Sequence, residues 1–238
     1  MVPRTLIVIV ASSLIAVAAL AAFGSGSPGA QDLDRKVQAF LDSRRGGWQD
    51  MNVSSNDGKI LYDLVLKNNY RRALEIGTST GHSGIWIAWA LSKTGGKLVT
   101  VEIDEGRYRE AVANFREAGL SDYIDARLAD AHALVPALKG PFDFVFCDAD
   151  KDWYKNYFVA VLPKLEAGGV FVAHNVSERR RGWGAGEFLD HVEGLAEMET
   201  TFAPGSTAGI SISYKKKSGS GQAKPFISLN LKPEKRPF

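Results

Sequence analysis

Short apolar runs alternate with stretches of helical spacing through the middle of the chain. The runs Ala73–Ile76, Leu98–Val101, Ile124–Leu128, Phe142–Cys147 and Val170–Ala173 have the length and the β-branched or aromatic content of strands. Between them, Glu105–Ala118 puts Tyr108, Ala111, Val112 and Phe115 on one helical face. Trp153–Leu165 does the same with Tyr154, Tyr157, Phe158, Val161, Leu162 and Leu165. Two more amphipathic helices are predicted ahead of the first strand, over Asp32–Arg45 and Ser55–Asn68. Strands alternating with such helices predict βαβ units and an α/β fold with a mostly parallel, doubly wound sheet. The last two runs, Glu199–Phe202 and Ile210–Tyr214, are separated by "APGSTAG". That spacer is too short for a crossover helix, so an antiparallel hairpin at the sheet edge is predicted.

Composition changes this picture at the two ends. The chain has 238 residues, 45% hydrophobic and 24% charged, which suits one α/β domain with appendages. Residues 6–23 are apolar except for Ser12 and Ser13 and lead into "GSGSPGA", the pattern of an export signal or membrane anchor followed by a linker. Ala19-Leu20-Ala21 offers a small-residue cleavage site. An exported or membrane-anchored protein is therefore expected, with residues 1–30 outside the fold and residues 31–214 forming the domain. From Lys215 onward, Lys215, Lys216, Lys217, Lys224, Lys232, Lys235 and Arg236 face only Glu234, while the whole chain carries +2. The basic character belongs to a solvated, disordered tail over 215–238, and no nucleic-acid partner is expected. Cys147 is the only cysteine, which excludes an intramolecular disulfide, a cysteine zinc cluster and a CxxC redox pair.

The candidate chemistry lies where strands end, because ligands of a doubly wound sheet bind at the carboxyl ends of its strands. "LEIGTSTGHSG", Leu74–Gly84, follows the first strand, and its glycines permit a tight turn and close approach of a ligand. The spacing is G-x-x-x-G, not the G-x-G-x-x-G of dinucleotide sites. "VTVEID" ends the second strand in Glu102, placed to accept hydrogen bonds from the two hydroxyls of a ribose. Together they predict an adenosine-bearing cofactor, either a nucleotide or S-adenosylmethionine. "VFCDADKDWY" breaks an apolar strand with Asp148, Asp150 and Lys151 at the same edge.

With these motifs in place, Asp50 to Tyr214 resembles the cation-dependent class I O-methyltransferases, the group of catechol O-methyltransferase and caffeoyl-CoA O-methyltransferase. "MNVSSNDGKILYDLV" is similar to the segment before the first strand, which implies Asn52 and Val53 beside the cofactor. The resemblance of "LEIGTSTGHSG" and "VEID" implies S-adenosylmethionine contacts from Glu75, Gly77, Ser79, Gly81, Ser83, Glu102 and Ile103. "ADAHALVPAL" implies adenine contacts from Ala131 and His132, and Asp148 also lines the cofactor site. "CDADKDWYKNY" and "GGVFVAHNV" are similar to the two metal-bearing strand ends. They imply a divalent cation on Asp148, His174 and Asn175, with Lys151 as the catalytic base. The family's usual Asp-Asn pair is His174-Asn175 here, and imidazole favours Mn2+ or Zn2+ over Mg2+.

The resemblance thus implies a Rossmann-like methyltransferase sheet and methyl transfer to a hydroxyl of a catechol-like small molecule. A bound cation would stabilise the phenolate. The partners expected are a small phenolic substrate, a membrane through residues 6–23, and a second copy of the chain in a homodimer. "SERRRGWGAGEF", Ser177–Phe188, is expected to arch over the site as a glycine-hinged lid carrying Arg179–Arg181 and Trp183. Two other readings compete: a membrane-tethered S-adenosylmethionine-binding protein without turnover, and a nicotinamide-dependent oxidoreductase. The loop spacing and the lack of a Tyr-x-x-x-Lys pair near the site disfavour the oxidoreductase.

Overall fold

The computed structural model describes residues 28–48, 50–178 and 184–217. Its centre is a seven-stranded sheet in the order β3-β2-β1-β4-β5-β7-β6. The strands are β1 (Arg72–Ile76), β2 (Lys97–Glu102), β3 (Ile124–Leu128), β4 (Phe142–Cys147), β5 (Leu165–His174), β6 (Met198–Phe202) and β7 (Ile210–Lys215). β3, β2, β1, β4 and β5 pair in parallel, whereas β7 is antiparallel to both β5 and β6. The expected edge hairpin is present, with β7 inserted between β5 and β6.

The helices are α1 (Pro28–Ser43), α2 (Ser55–Asn68), α3 (His82–Thr94), α4 (Glu105–Glu117), α5 (Ala131–Ala137), α6 (Tyr154–Val161) and α7 (Ala185–Glu193). α2 begins where the Ser54 side chain accepts from Asp57 N–H and ends at Asn69 in the left-handed region, which closes its free N–H and C=O groups. β4 is buried along its whole length and alternates faces: Val145 and Cys147 pack under α5, α6 and α7, and Phe144 and Phe146 under α2 and α3. A third cluster joins α1, α3 and α4 through Val37, Phe40, Ile85 and Phe115. Two covered faces explain why these strands read as continuous apolar runs and not as alternating ones.

Several boundaries differ from expectation. Residues 28–30, expected in the linker, form the first turn of α1, and Lys215 closes β7 instead of opening the tail. The helix expected over 153–165 is divided: α6 is flanked by 3-10 turns at Lys151–Trp153 and Leu162–Lys164, and Leu165 already belongs to β5. The strand expected at 170–173 is therefore ten residues long, with Leu165 opposite Phe142 across a bulge. Residues 185–188, expected in a lid, open α7, while Arg179–Arg181 and Trp183 lie outside the described residues.

The chain leaves β1 for β2 and β3, then returns to place β4 on the other side of β1. That reversal opens a crevice at the carboxyl ends of β1 and β4. Ile76 and Cys147 are paired there, and Asp148 N–H donates to Ile76 C=O at 2.9 Å.

Candidate active site

At this crevice a cleft of about 780 Å³ opens, a volume suited to a cofactor-sized ligand. Asn52, Gly77, Ser79, Ser83, Glu102, Ile103, Ala131, His132, Asp148, Lys151, His174 and Asn175 line it. Three other expected residues do not. Val53 is buried and offers its carbonyl to His82 Nδ1 at 2.9 Å. Gly81 turns the chain into α3 with φ 96°, where a Cβ would stand 2.7 Å from the Phe115 ring. Glu75 lies wholly buried below the floor.

Glu75 is unusual for a carboxyl group. Thr100 donates to its Oε2 at 2.5 Å, and its Oε1 meets no hydrogen-bond partner. Burial pushes its pKa up to about 7, although bonds from Ser83 and Thr100 act the other way. A carboxyl raised on folding contributes stability that is complete below its unfolded pKa and is lost as pH rises through the folded value. The window here runs from about 4.5 to about 7. Relative to wild type, Glu75→Gln should therefore gain on the order of 2–3 kcal/mol between pH 5 and pH 8. Urea melts at the two pH values check it; an identical difference at both would show that Glu75 is ionised throughout.

Glu102 ends β2 and gathers the loops around the cleft. Its Oε2 accepts from Ser79 N–H at 2.8 Å, and its Oε1 accepts from Ile103 and Asp104 N–H at 3.1 and 3.0 Å. A strap before α2 crosses the same loop: Ser79 Oγ donates to Asp50 C=O, and Asn52 Nδ2 donates to Thr80 Oγ1, both at 2.7 Å. Arg107 holds the Asp50 carboxylate with two bonds, at 2.6 and 3.0 Å. Met51 and Ile103 stand at the rim 71% and 68% exposed, apolar surface that a ligand in the cleft would cover. Gly77 has φ 94°, and a Cβ there would lie 2.7 Å from Asp148 C=O. No other residue could take this turn without displacing the backbone of the neighbouring loop.

Further along, the His132 ring stacks on Trp153 with centroids 3.8 Å apart. Its Nε2 lies 3.0 Å from Asp150 Oδ2, while Tyr157 OH donates to Asp150 Oδ1 at 2.7 Å. Asp150 thus fixes the His132 side of the cleft and is not the partner of Lys151. Lys151 Nζ donates instead to Asp148 Oδ1 at 2.6 Å and to Tyr154 OH at 2.8 Å. Tyr154 OH donates in turn to His174 C=O at 3.2 Å.

His174 ends β5 between two carboxylates. Its Nε2 is 3.3 Å from Asp57 Oδ2. Its Nδ1 is 3.0 Å from Asp148 Oδ2, close enough for an ion pair but not aligned as a hydrogen bond. Burial alone would lower the His174 pKa, but Asp148 and Asp57 outweigh it and push it up to about 9. Asn175, next in the chain, holds φ 59°, a region that asparagine tolerates better than most residues. Among residues that line the cleft or support it, the sequence reading gave no role to Asp57, Met51, Arg107 or Tyr157. Of these, Met51, Asp57 and Tyr157 lie in quoted motifs, and only Met51 stands next to an expected contact.

The chain has relatives of known type. A family model described as O-methyltransferase matches residues 33–180. A catechol O-methyltransferase of Niastella koreensis is 39% identical over 147 residues, covering 60% of this chain and 66% of that protein. Caffeoyl-CoA O-methyltransferase 1 of Eucalyptus globulus is 34% identical over 128 residues, 52% of each chain. The chain thus spans between half and two thirds of the length of these two relatives. Among solved structures, the O-methyltransferase of Bacillus cereus in complex with SAH superposes with a TM-score of 0.63 at 27% identity, covering 82% of this chain and 94% of that one. These matches correct the expectation of an exported or membrane-anchored protein, to which they lend no support. Among the described residues no helix is long and apolar enough to cross a membrane, and residues 6–23 lie outside them.

Proposed function

This chain belongs to the O-methyltransferase family, and we propose that it moves the methyl group of S-adenosylmethionine to a hydroxyl of a catechol-like small molecule. The observation that carries this reading is the junction of Gly77 and Asp148 at the β1–β4 crevice. There the loop that would cradle the cofactor meets a segment bearing an amine and a carboxylate.

The cofactor fits the residues present. Asn52, Gly77, Ser79, Ser83, Glu102, Ile103, Ala131 and His132 would hold it, with Glu102 toward the ribose and Met51 and Ile103 against apolar surface. When bound, S-adenosylmethionine supplies a sulfonium methyl open to in-line displacement. The chain's own task is then to bring a phenol oxygen to that methyl and remove its proton. A phenol has a pKa of about 10, so few molecules are nucleophilic at neutral pH. Lys151 stands at the cleft as the proton acceptor, held by Asp148 and Tyr154 so that its amine meets the incoming hydroxyl.

A divalent cation, which the resemblance also implies, does not fit the donor set as it is arranged. Both oxygens of Asp148 are engaged, one by Lys151 and one by His174, and both ring nitrogens of His174 face carboxylates. Among the described residues no cluster of three or more His, Cys, Asp or Glu could hold a metal.

Transfer of label from methyl-labelled S-adenosylmethionine to a panel of catechols tests the reading, and the absence of methylated product from any phenol would sink it. Glu102→Ala should weaken S-adenosylmethionine binding by ~1–3 kcal/mol, the range for hydrogen bonds to a charged group. Calorimetry on the folded variant checks this, and an unchanged affinity would remove the ribose assignment.

A further inference from the structure

The strap before α2 is held in a conformation that its own sequence does not favour. Asp50 and Met51 stand side by side in the left-handed region, with φ 63° and φ 50°. Aspartate visits that region at little cost, but methionine seldom does. Such a backbone persists only where its surroundings hold it. Core packing does not, because Asp50 and Met51 are both exposed. Polar bonds to other elements do. Ser79 Oγ reaches the Asp50 carbonyl and Asn52 reaches Thr80, both on the loop after β1. From α4, Arg107 Nε and Nη2 grip the Asp50 carboxylate. The Arg107 backbone is fixed in the first turn of that helix, where its N–H donates to Asp104 Oδ1 at 2.8 Å. One ion pair therefore joins a strained strap to a regular helix, and Met51 and Arg107 both line the cleft.

The base of the strap is built differently. Val53 C=O accepts from Nδ1 of His82, which is 1% exposed. Trp86 Nε1 donates to His82 Nε2 at 3.0 Å, and the Trp48 ring stacks on the imidazole at 4.3 Å. Trp48 and Val53, on either side of the strap, thus rest on the same buried ring. Residues 50–52 are held by side-chain bonds, which can open without disturbing that base.

We propose that the Asp50–Arg107 pair is the latch of this strap, which must lift for S-adenosylmethionine to enter and S-adenosylhomocysteine to leave. The proposal rests on the methyltransferase reading of the cleft. Closed, the strap presents Met51 to the cleft; open, it relieves the left-handed backbone at Asp50 and Met51. Strain on one side and a bidentate pair on the other set two discrete arrangements against each other. An exposed pair alone is weak, but two parallel bonds to a fixed guanidinium strengthen it. Arg107 touches no reacting atom and is a positioning residue.

The test uses the full chain, first without cofactor. Thr80→Cys places a thiol beneath Asn52 at a position 4% exposed, while Cys147 is buried and stays silent. Dithionitrobenzoate should label the new thiol about five- to tenfold faster once Arg107→Met is added. Arg107→Lys should fall between, since lysine keeps the charge and loses the planar fork. Stopped-flow tryptophan fluorescence should then show S-adenosylhomocysteine leaving Arg107→Met faster than wild type by a similar factor. Added NaCl should speed release from wild type and not from Arg107→Met, a response that a merely structural arginine would not give. Equal labelling rates with and without Arg107→Met would overturn the proposal, as would an unchanged release rate in the folded variant. If wild type binds neither S-adenosylmethionine nor S-adenosylhomocysteine, the methyltransferase reading fails. Labelling alone then decides the latch: faster labelling in Arg107→Met supports it, and equal labelling overturns it. If Thr80→Cys fails to fold, the release rates decide. If Arg107→Met fails to fold, wild-type release does so: faster release in NaCl supports the latch, and release indifferent to NaCl overturns it.

Discussion

Replacing Lys151 with methionine should cut kcat by roughly 10²–10⁴-fold, the usual contribution of a positioned proton acceptor, while S-adenosylmethionine affinity stays close to wild type. Methionine keeps the length and apolar stem of the lysine and removes the one amine that reaches Asp148 and Tyr154. Residues proposed to hold the cofactor lie mostly in the loops after β1 and β2 and at the start of α5, so their arrangement should survive. A fall in kcat with little change in either KM means that the lost interaction serves the transition state and not binding. Raising the pH should rescue the variant in part, because a larger fraction of the phenol is then already ionised. A variant with wild-type kcat would move the proton to another acceptor, with Asp148 the next candidate.

The second large effect is expected in the core. Phe171→Ala should destabilise the protein by about 3–5 kcal/mol, the range for removing a buried phenylalanine. Phe171 is fully buried in the middle of β5, edge-on to Phe158 at 5.3 Å and tilted against Phe188 at 5.5 Å. It therefore joins the sheet to α6 and α7 at once, and few neighbours can collapse into the space it leaves. Urea unfolding should show the loss as a lower midpoint with unchanged slope. Because β5 ends in His174, the variant should also lose turnover on warming before wild type does. A loss below about 1 kcal/mol would mean that the helices repack freely over the sheet.

The parts of this fold that the sequence made legible are those decided locally. Ser55–Asn68 agrees with expectation at both ends because Ser54 and Asn69 terminate the helix by their own chemistry. β3 and β4 also agree at both ends, β4 as an aromatic and β-branched run broken only by Asp143. β5 was underestimated because Glu166, Gly168 and Gly169 break its apolar pattern, while its pairing opposite Phe142 was out of sight. The helix over 153–165 was overestimated because apolar spacing continues through Pro163, where the chain has already tightened into a 3-10 turn. In the site, residues at strand ends were legible from topology, since a doubly wound sheet dictates where its ligands bind. Asp57 was not: on α2 it reads as one more polar residue, and its partner lies on another element. The arrangement of His174 escaped for the same reason, since its neighbour in sequence suggests a ligand pair and its neighbours in space form ion pairs.

Gly77 carries a consequence for anyone wishing to redesign this protein. With its missing side chain pressed against the Asp148 carbonyl, the loop after β1 and the segment after β4 meet backbone to backbone beside the cleft. Enlarging the part of the cleft proposed for the cofactor, to admit a bulkier sulfonium donor, would push on the segment that presents Lys151, and reshaping the part proposed for the phenol would push back on the donor. Donor scope and acceptor scope should therefore resist independent evolution. Libraries that vary residues 77–79 and 148–151 together should yield active variants that libraries of either segment alone do not.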